Sequence, residues 1–480
     1  MKDRLKACID WLMARQVDYA DCRLVRRESE TIRVVDGVVE AMTRTLDVGV
    51  GIRVLVKGAW GFAATAVTTP SELQKTADKA LQIARATALT LREPVHLAPQ
   101  IPYIDTYMSP CLRDPFAVST DTKLELLMAA CARLRTSKKI RKAEASMRFY
   151  KTGKLFVSTE GADIEQEMIE SGAGFEVLAA EGKEVQKRSY PNSHGGDFAS
   201  AGYEFIESMN LLDHTDRVRE EALELLSAPP CPDTTTTVII NGSQLALQIH
   251  ESCGHPTELD RVLGTEISLA GGSFLTLDTL GKLKYGSDIV TINADATIPG
   301  GLGSFGYDDE GVKAQCTPLV QNGLFVGYLT SRETAPVIDA VSNGTMRADG
   351  WNRIPLIRMT NINLEPGTWT AADLIADTKD GLLLDTNKSW SIDDRRLNFQ
   401  FGVECAWEIK NGRLGRMLKN PVYTGITPEF WNSCDAICNR DYWHVWGVPN
   451  CGKGEPMQVA HVAHGASPAR FRNVKVGVSK

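Results

Sequence analysis

A cluster of prolines divides the chain into two parts with different residue patterns. The stretch Ala228-Pro-Pro-Cys-Pro232 cannot continue a helix or form an inner strand, because proline lacks the backbone N–H group. Helical and strand-like patterns mix before it, whereas glycine, aspartate and short β-like runs dominate after it. Regular β-α-β alternation is absent, which argues against a doubly wound parallel sheet. We therefore predict an α+β fold, with a helix-and-antiparallel-sheet domain over 1–227 and a mainly β domain over 228–480.

The first part contains four helix patterns separated by strand patterns. Apolar residues at helical spacing predict helices near the N-terminus, after a capping box at 69–72, at about 121–135 and at about 215–226. Alternating residues predict antiparallel strands over 31–35 and 48–56, and further strands over 140–190 with turns at 151–153 and 160–161. In the second part, helix patterns are confined to 243–253 and a short stretch near Ala371.

Composition narrows the class of protein. A hydrophobic content of 43% and a charged content of 24% over 480 residues are typical of a globular protein with a large core. The net charge of -7 gives no electrostatic footprint for nucleic acid, and no apolar run approaches the roughly 20 residues that span a bilayer. The amphipathic N-terminus does not resemble a signal peptide, so we expect a cytoplasmic protein whose eleven cysteines are mostly reduced.

The stretch that carries recognisable chemistry is His250-Glu251-Ser-Cys-Gly-His255. It is close to the zincin pattern H-E-x-x-H, in which two histidines on one helix face bind zinc and the glutamate is the general base. Here the second histidine comes one residue late, so the two rings would point about 140° apart on a regular α-helix. Gly254 is a natural helix stop, and Pro256 disfavours helical backbone at His255. We predict a helix that starts near Ser243 and loosens before His255, in a kink, π-type turn or exit loop.

A catalytic zinc site needs a third protein ligand and an open position. Residue spacing alone leaves this ligand open among candidates near and far along the chain: Cys253, Glu258, Asp260, His444, His461, His464 and Cys451. Cys451 lies in a tight loop flanked by glycine, and Cys253 is interpreted mainly as a buried spectator thiol. His461 and His464 are interpreted mainly as solvated or structural residues. The acidic run at 308–310 is interpreted as a solvated turn. The alternative is that it lines a substrate cleft.

The chain resembles a known family. The motif His250-Glu-Ser-Cys-Gly-His255-Pro-Thr-Glu258-Leu-Asp260 is similar to the H-E-A-x-G-H-x-x-E-x-D signature of TldD-type metallopeptidases, in the TldD/PmbA family. Further segments are similar in family order, from the N-terminal strand pair to the C-terminal Cys-Gly-Lys sequence: 49–63, 305–311, 343–347, 355–361, 390–395, 398–402, 411–414 and 451–453. The chain departs from the family pattern at Ser252-Cys253, where alanine and an aliphatic residue are usual.

The resemblance implies a zinc-dependent peptidase (cofactor Zn2+) that acts on unfolded or flexible peptides. It implies His250, His255 and Cys451 as metal ligands, and Glu251 as the catalytic carboxylate that activates a zinc-bound water. It also implies a dimer, formed either with a second copy or with a PmbA/TldE-like subunit that lacks the histidine motif. The alternatives are a non-catalytic partner or regulatory member of the same fold, and a metal-dependent amidase on small molecules. Substrate-binding residues are not predicted.

Overall fold

The structure is a computed structural model that describes residues 1–268 and 271–478. Its architecture confirms the predicted α+β class. The helices are α1 (Lys2–Met13), α2 (Pro70–Ala88), α3 (Thr120–Leu134), α4 (Glu204–Ser208), α5 (Leu211–Leu225), α6 (Gly242–Ile249), α7 (Leu259–Val262), α8 (Ala371–Ala376) and α9 (Thr427–Asn432). The strands before the proline cluster are β1 (Tyr19–Val35), β2 (Val38–Val56), β3 (Ala59–Thr65), β4 (Ile104–Met108), β5 (Ile140–Ser158), β6 (Asp163–Glu181), β7 (Glu184–Tyr190) and β8 (Asp197–Ala199).

The remaining strands lie after the proline cluster. They are β9 (Thr234–Ile240), β10 (Ile292–Asp295), β11 (Cys316–Gln321), β12 (Leu324–Phe325), β13 (Met346–Arg347), β14 (Leu356–Ile357), β15 (Ile362–Leu364), β16 (Asp380–Ile392), β17 (Asn398–Lys410), β18 (Arg413–Lys419), β19 (Pro421–Ile426), β20 (Cys434–Ile437), β21 (His444–Lys453), β22 (Gln458–Ala466) and β23 (Ala469–Val478). No helix within the described residues is long and apolar enough to cross a bilayer.

The N-terminal part is one large sheet covered by helices. Its strand order is β3-β2-β1-β5-β6-β4, with β7 and β8 also paired to β6. The predicted apolar faces of α1 and α2 pack on the inner halves of β1 and β2, where Leu5, Leu12 and Leu73 are fully buried. Helix α2 starts where predicted, with Thr69 as N-cap and Pro70 in its first turn, but the predicted capping box at 69–72 is not formed, since the Thr69 side chain makes no capping hydrogen bond. The second helical cluster, α3 with α5, covers β5 and β6.

One turn prediction in this sheet is wrong. The stretch 151–153 continues β5, because Gly153 pairs with Arg26 of β1 on one side and Glu167 of β6 on the other. Two neighbouring strands hold the segment extended in spite of its turn-like composition. The predicted turn at 160–161 does join β5 to β6, with Gly161 at a φ of +98°.

The C-terminal part is built on a sheet that closes on itself. Strands β16, β9, β23, β19 and β17 follow one another in the sheet, and β17 pairs back with β16; β18 and β20 pair at the side. Helix α6 follows β9 directly and is buried along its whole length. Its apolar residues share one core with residues of β9 and β17, including Val238 and Phe401. Helix α6 is therefore enclosed in the core of the C-terminal part.

The acidic run at 308–310 is not a solvated turn, which corrects the main sequence interpretation. Asp308, Asp309 and Glu310 are each only 2% exposed. Asp309 accepts hydrogen bonds from Lys154 Nζ at 2.9 and 3.2 Å and lies 3.8 Å from an Arg23 nitrogen. Charges from the N-terminal sheet thus pair with this run from the second part of the chain. The exact division at 227 and 228 stays our proposal.

Candidate metal centre

The helix that carries the motif changes its winding at the first histidine. Helix α6 ends at Ile249, and His250–Gly254 forms a π-helical turn. The predicted loosening between the two histidines is therefore confirmed. The helix begins at Gly242, next to the predicted start near Ser243, but its N-cap is Asn241. A π-turn widens the helix by one residue per turn, which compensates for the extra residue between the histidines.

Ser252 supports the π-turn through three hydrogen bonds. Its hydroxyl donates to the carbonyl oxygen of Gln248 and accepts from Trp431 Nε1 at 2.9 Å. Its carbonyl oxygen accepts from the Tyr285 hydroxyl at 2.7 Å. These partners are buried, so the departure from α-helical winding is held by the surrounding core. The residue that departs from the usual family pattern thus has a structural role here.

Gly254 ends the π-turn where a side chain would not fit. A Cβ atom at this position would lie 2.1 Å from Met359 Sδ, far inside van der Waals contact. Met359 is fully buried and cannot swing into solvent. The glycine is therefore required by close packing, since its φ of -58° is accessible to any residue.

The structure brings His250, His255 and Cys451 together. One potential ligand atom from each lies within 4.8 Å of the others, and all three residues are buried. His255 Nε2 is 3.7 Å from Cys451 Sγ, and the two imidazole rings are nearly perpendicular, with centroids 4.9 Å apart. Cys451 lies on β21 at an irregularity in its pairing with β22. Among the described residues, this is the one cluster of at least three such groups that could hold a metal.

Both imidazoles present the same nitrogen to the centre of the cluster. The Nδ1 atom of His250 is 2.7 Å from His464 Nε2, and the Nδ1 atom of His255 is 3.0 Å from Glu258 Oε2. With Nδ1 occupied by these outer partners, each ring has Nε2 available as a ligand atom. Outer hydrogen bonds of this kind are the usual way in which proteins orient metal-binding histidines.

The protonation states of the three side chains suit a metal. Burial lowers the pKa of His250 and lowers that of His255 well below its ordinary value, so both rings are neutral near pH 7. Burial acts to raise the pKa of Cys451, but interactions with His255 and Arg358 outweigh it and lower this pKa. Neutral imidazoles and a cysteine sulfur that loses its proton more readily than usual are donors that a borderline-soft ion such as zinc accepts. The residues present therefore fit a metal, and they match the donor types of zinc.

Glu251 lies beside the cluster and is held by an arginine. The Nη1 atom of Arg396 donates to Glu251 Oε2 at 2.7 Å, and Glu251 is 5% exposed. Arg396 is in the loop between β16 and β17, with a left-handed φ of 63°. This arginine was not predicted from the sequence. A pattern of residue types gives no signal for a contact across 145 positions.

The other sequence candidates lie outside the three-residue cluster. Glu258 contacts His255 and lies 3.4 Å from Lys453 Nζ, and Asp260 forms an ion pair with the same lysine at 2.7 Å. The remaining candidates have separate partners or surroundings: His444 pairs with Asp197, His461 with Glu170, His464 with His250, and Cys253 is buried in the core, where burial raises its pKa to about 12. His464 is fully buried, so of the two roles expected for it, solvated or structural, the structure agrees with the structural one.

Comparisons with known proteins identify the family to which the chain is similar. Profiles of the PmbA/TldA metallopeptidase domain 1, central domain and C-terminal domain match residues 20–84, 113–228 and 233–477. A metalloprotease of Methanocaldococcus jannaschii is 33% identical, over 91% of this chain and 92% of the relative. A zinc metalloprotease TldD homolog of Saccharolobus solfataricus is 21% identical, over 96% of both chains. The crystal structure of TldE from Thermococcus kodakarensis has the same fold, with a TM-score of 0.74, 16% identity, and coverage of 99% of this chain and 100% of that one.

The matched domains and the named relatives together class the chain as a metallopeptidase. The chain belongs to the PmbA/TldD family, whose three domains it contains in order.

Proposed function

We propose that the protein is a zinc-dependent peptidase that hydrolyses peptide bonds in unfolded or flexible peptides. The observation that carries this proposal is the meeting of His250, His255 and Cys451 beside Glu251. Two neutral histidines and one cysteine supply three protein ligands. The fourth position of a tetrahedral site is then open for substrate or water, as in catalytic zinc sites. The printed name of the Saccharolobus solfataricus relative supports zinc as the metal.

In this proposal His250, His255 and Cys451 hold the metal. Zinc, when bound, supplies a lowered pKa for water and polarises the scissile carbonyl. A thiolate ligand donates more charge than a third imidazole, so more of the proton transfer falls to the protein. Glu251 is the group placed to accept the proton of the attacking water and deliver it to the leaving amine. Arg396 holds one oxygen of this carboxylate at 2.7 Å, which leaves the other oxygen to receive the proton.

The preference for flexible substrates follows from burial of the centre. His250 and His255 are each 4% exposed, Cys451 is 3% exposed and Glu251 is 5% exposed. A peptide bond within a folded domain cannot approach atoms so deeply buried, because its neighbours in the fold would collide with the surrounding core. An extended, flexible peptide presents a single strand of atoms, so it would meet fewer such collisions. This difference in shape supports the proposed substrate class.

We also propose that the protein works as a dimer in the cytoplasm, with a second copy or with a TldE-like subunit. The shared fold with TldE from Thermococcus kodakarensis supports such a partner. Within the described residues, the outer half of β2 pairs only with β1, because β3 pairs with β2 from Val50 onward. It exposes apolar side chains, with Val38 at 67%, Met42 at 58% and Leu46 at 57%. Eleven free cysteines within the described chain support a reducing compartment.

The decisive experiment measures metal content and cleavage of a disordered peptide in the same preparations. The wild-type protein should contain about one zinc per site and cleave the peptide. Glu251→Gln should keep its zinc and lose at least about 100-fold in kcat, because general acid–base catalysis contributes factors of this size. Glutamine keeps an oxygen for Arg396, so the variant should fold normally.

The matched control is Glu429→Gln, which changes an exposed glutamate on α9. This variant should behave as the wild type. Retained cleavage in Glu251→Gln would refute the role of Glu251, and a metal-free wild-type protein without activity would indicate a non-catalytic partner. Cleavage of small amides but not of peptides would instead favour an amidase.

A further inference from the structure

His464 lies directly behind the first histidine of the metal cluster. Its Nε2 atom is 2.7 Å from His250 Nδ1, and its own Nδ1 atom is 3.2 Å from the carbonyl oxygen of Ile362. The side chain is fully buried, on strand β22 beside the strand that carries Cys451. The sequence pattern left His464 as a possible third ligand, but these contacts give it a different place.

The proton positions in this chain of contacts follow from the acceptor at its end. A carbonyl oxygen can only accept a hydrogen bond, so Nδ1 of His464 carries a proton and donates a hydrogen bond to the carbonyl oxygen of Ile362. A charged His464 is excluded by its burial, because no carboxylate contacts it among the described residues and an unpaired buried cation is costly. A neutral His464 therefore has a bare Nε2, which must accept a hydrogen bond from Nδ1–H of His250. His250 is left with an unprotonated Nε2.

From this geometry we propose that His464 is a positioning residue that fixes the tautomer and the ring orientation of His250 for metal binding. The proposal rests on the proposed metal centre and adds to it a residue outside the ligand set. His464 acts through His250 and does not touch the metal. Two nitrogens bound to one zinc at about 2.05 Å lie about 3.3 Å apart in a tetrahedral site. The 2.7 Å contact is too short for that arrangement, so it is a hydrogen bond.

The two imidazole ligands are therefore supported by different chemistry. His255 donates to the Glu258 carboxylate. Positive charge reaches this carboxylate from Arg261 and Lys453, each with a nitrogen 3.4 Å away. His250 donates to a neutral ring, which brings no charge to the centre. A carboxylate at both positions would add a second buried negative charge near the Cys451 thiolate. The neutral imidazole supplies the required acceptor without that electrostatic cost.

The experiment compares three variants of the full-length protein, freed of metal and titrated with zinc against a chromophoric chelator. His464→Leu removes the acceptor and should raise the zinc Kd about 10–100-fold, as loss of an outer partner of a metal-bound histidine does. His464→Gln places an amide oxygen near the position of Nε2 and should recover most of the affinity. His461→Leu is the matched control. His461 lies on the same strand as His464, and its imidazole is hydrogen-bonded to Glu170. The control should bind zinc as the wild type does.

A second measurement reads the tautomer of His250 in the wild-type protein itself. In metal-free wild-type protein labelled with 15N-histidine, two-bond 1H–15N correlations report which ring nitrogen carries the proton. The His250 signals, identified by their loss in His250→Gln, should show a protonated Nδ1 and a bare Nε2. The opposite tautomer would overturn the proposal, as would wild-type zinc affinity in a folded His464→Leu variant. A wild-type protein that binds no zinc would instead count against the proposed function itself.

Discussion

Gly254→Ala tests whether close packing of the π-turn sets the distance between the two histidine ligands. The new Cβ atom would lie 2.1 Å from Met359 Sδ, 3.1 Å from its Cε and 3.2 Å from its Cγ. Since ordinary contacts begin at about 3.5 Å, the turn and Met359 must separate by about 1.4 Å. The backbone itself accepts alanine, because φ and ψ at this position are -58° and -64°.

The expected magnitude follows from two opposing effects on the free energy of unfolding. Alanine is favoured over glycine in helical backbone by about 1 kcal/mol. Overpacking in a well-packed core costs about 1–3 kcal/mol, so the net destabilisation should be small, about 0–2 kcal/mol. Metal binding is more sensitive, because ligand positions are needed to within about 0.2 Å. We therefore expect the zinc Kd to rise at least about tenfold, equivalent to about 1.4 kcal/mol.

The assay is a double-mutant cycle with Met359→Ala, read by urea unfolding of the metal-free protein and by zinc titration. Met359→Ala alone should destabilise by about 2–5 kcal/mol, because it leaves a cavity in a fully buried position. In the double variant the new methyl group of residue 254 enters this space. The double variant should therefore lose less unfolding free energy than the two single variants lose together. Zinc affinity should return to the value of Met359→Ala. Additive effects, or unchanged zinc affinity in Gly254→Ala, would refute the packing argument.

Two other predictions concern the remaining ligand and the contact between the two parts of the chain. Cys451→Ala should lower the zinc content measured by elemental analysis. Cys253→Ala should not, because burial raises the pKa of the Cys253 thiol to about 12 and keeps it protonated. Equal losses of zinc in the two variants would contradict this prediction. Burial acts to raise the pKa of Asp309, but Lys154 and Arg23 outweigh it and lower the pKa from 3.8 to about 2. This lowered pKa stabilises the fold by about 2 kcal/mol above about pH 4, and the stabilisation is lost as the pH falls through 2. The difference in unfolding free energy between the wild type and Asp309→Asn, from urea titrations, should therefore shrink in acid; a difference independent of pH would count against the ion pairs.

The elements that depend on local pattern could be predicted from the sequence. The apolar spacing of α1 and α3 locates both helices, because each face is defined within a few turns. The place of the π-turn could also be anticipated from Gly254 and Pro256 in the motif, but His255 keeps helical backbone angles of -62° and -43°, so the expected effect of Pro256 on that residue is not what forms the turn. Local chemistry is enough where the residues that determine a conformation are neighbours in the chain.

The missed features depend on distant residues. The acidic run at 308–310 has the composition of a turn, and only the N-terminal sheet supplies the charges that allow its burial. The turn-like stretch at 151–153 is extended because strands on both sides pair with it. Spacing alone did not select Cys451, which came from the resemblance to the family. His464 was a candidate for the wrong role, because its contact with His250 joins residues 214 positions apart.

The separation of the ligands along the chain has a consequence for synthesis. His255 and Cys451 are 196 residues apart, so the ribosome makes the second about 10–40 s after the first at about 5–20 residues per second. His464 is made later still. During this interval the nascent chain carries both histidines of the motif but lacks the thiolate that completes their cluster. With the proposed ligand set, proteolytic competence would therefore arise only when the hairpin of β21 and β22 has folded against α6, so a growing chain would not digest itself or its neighbours on the polysome.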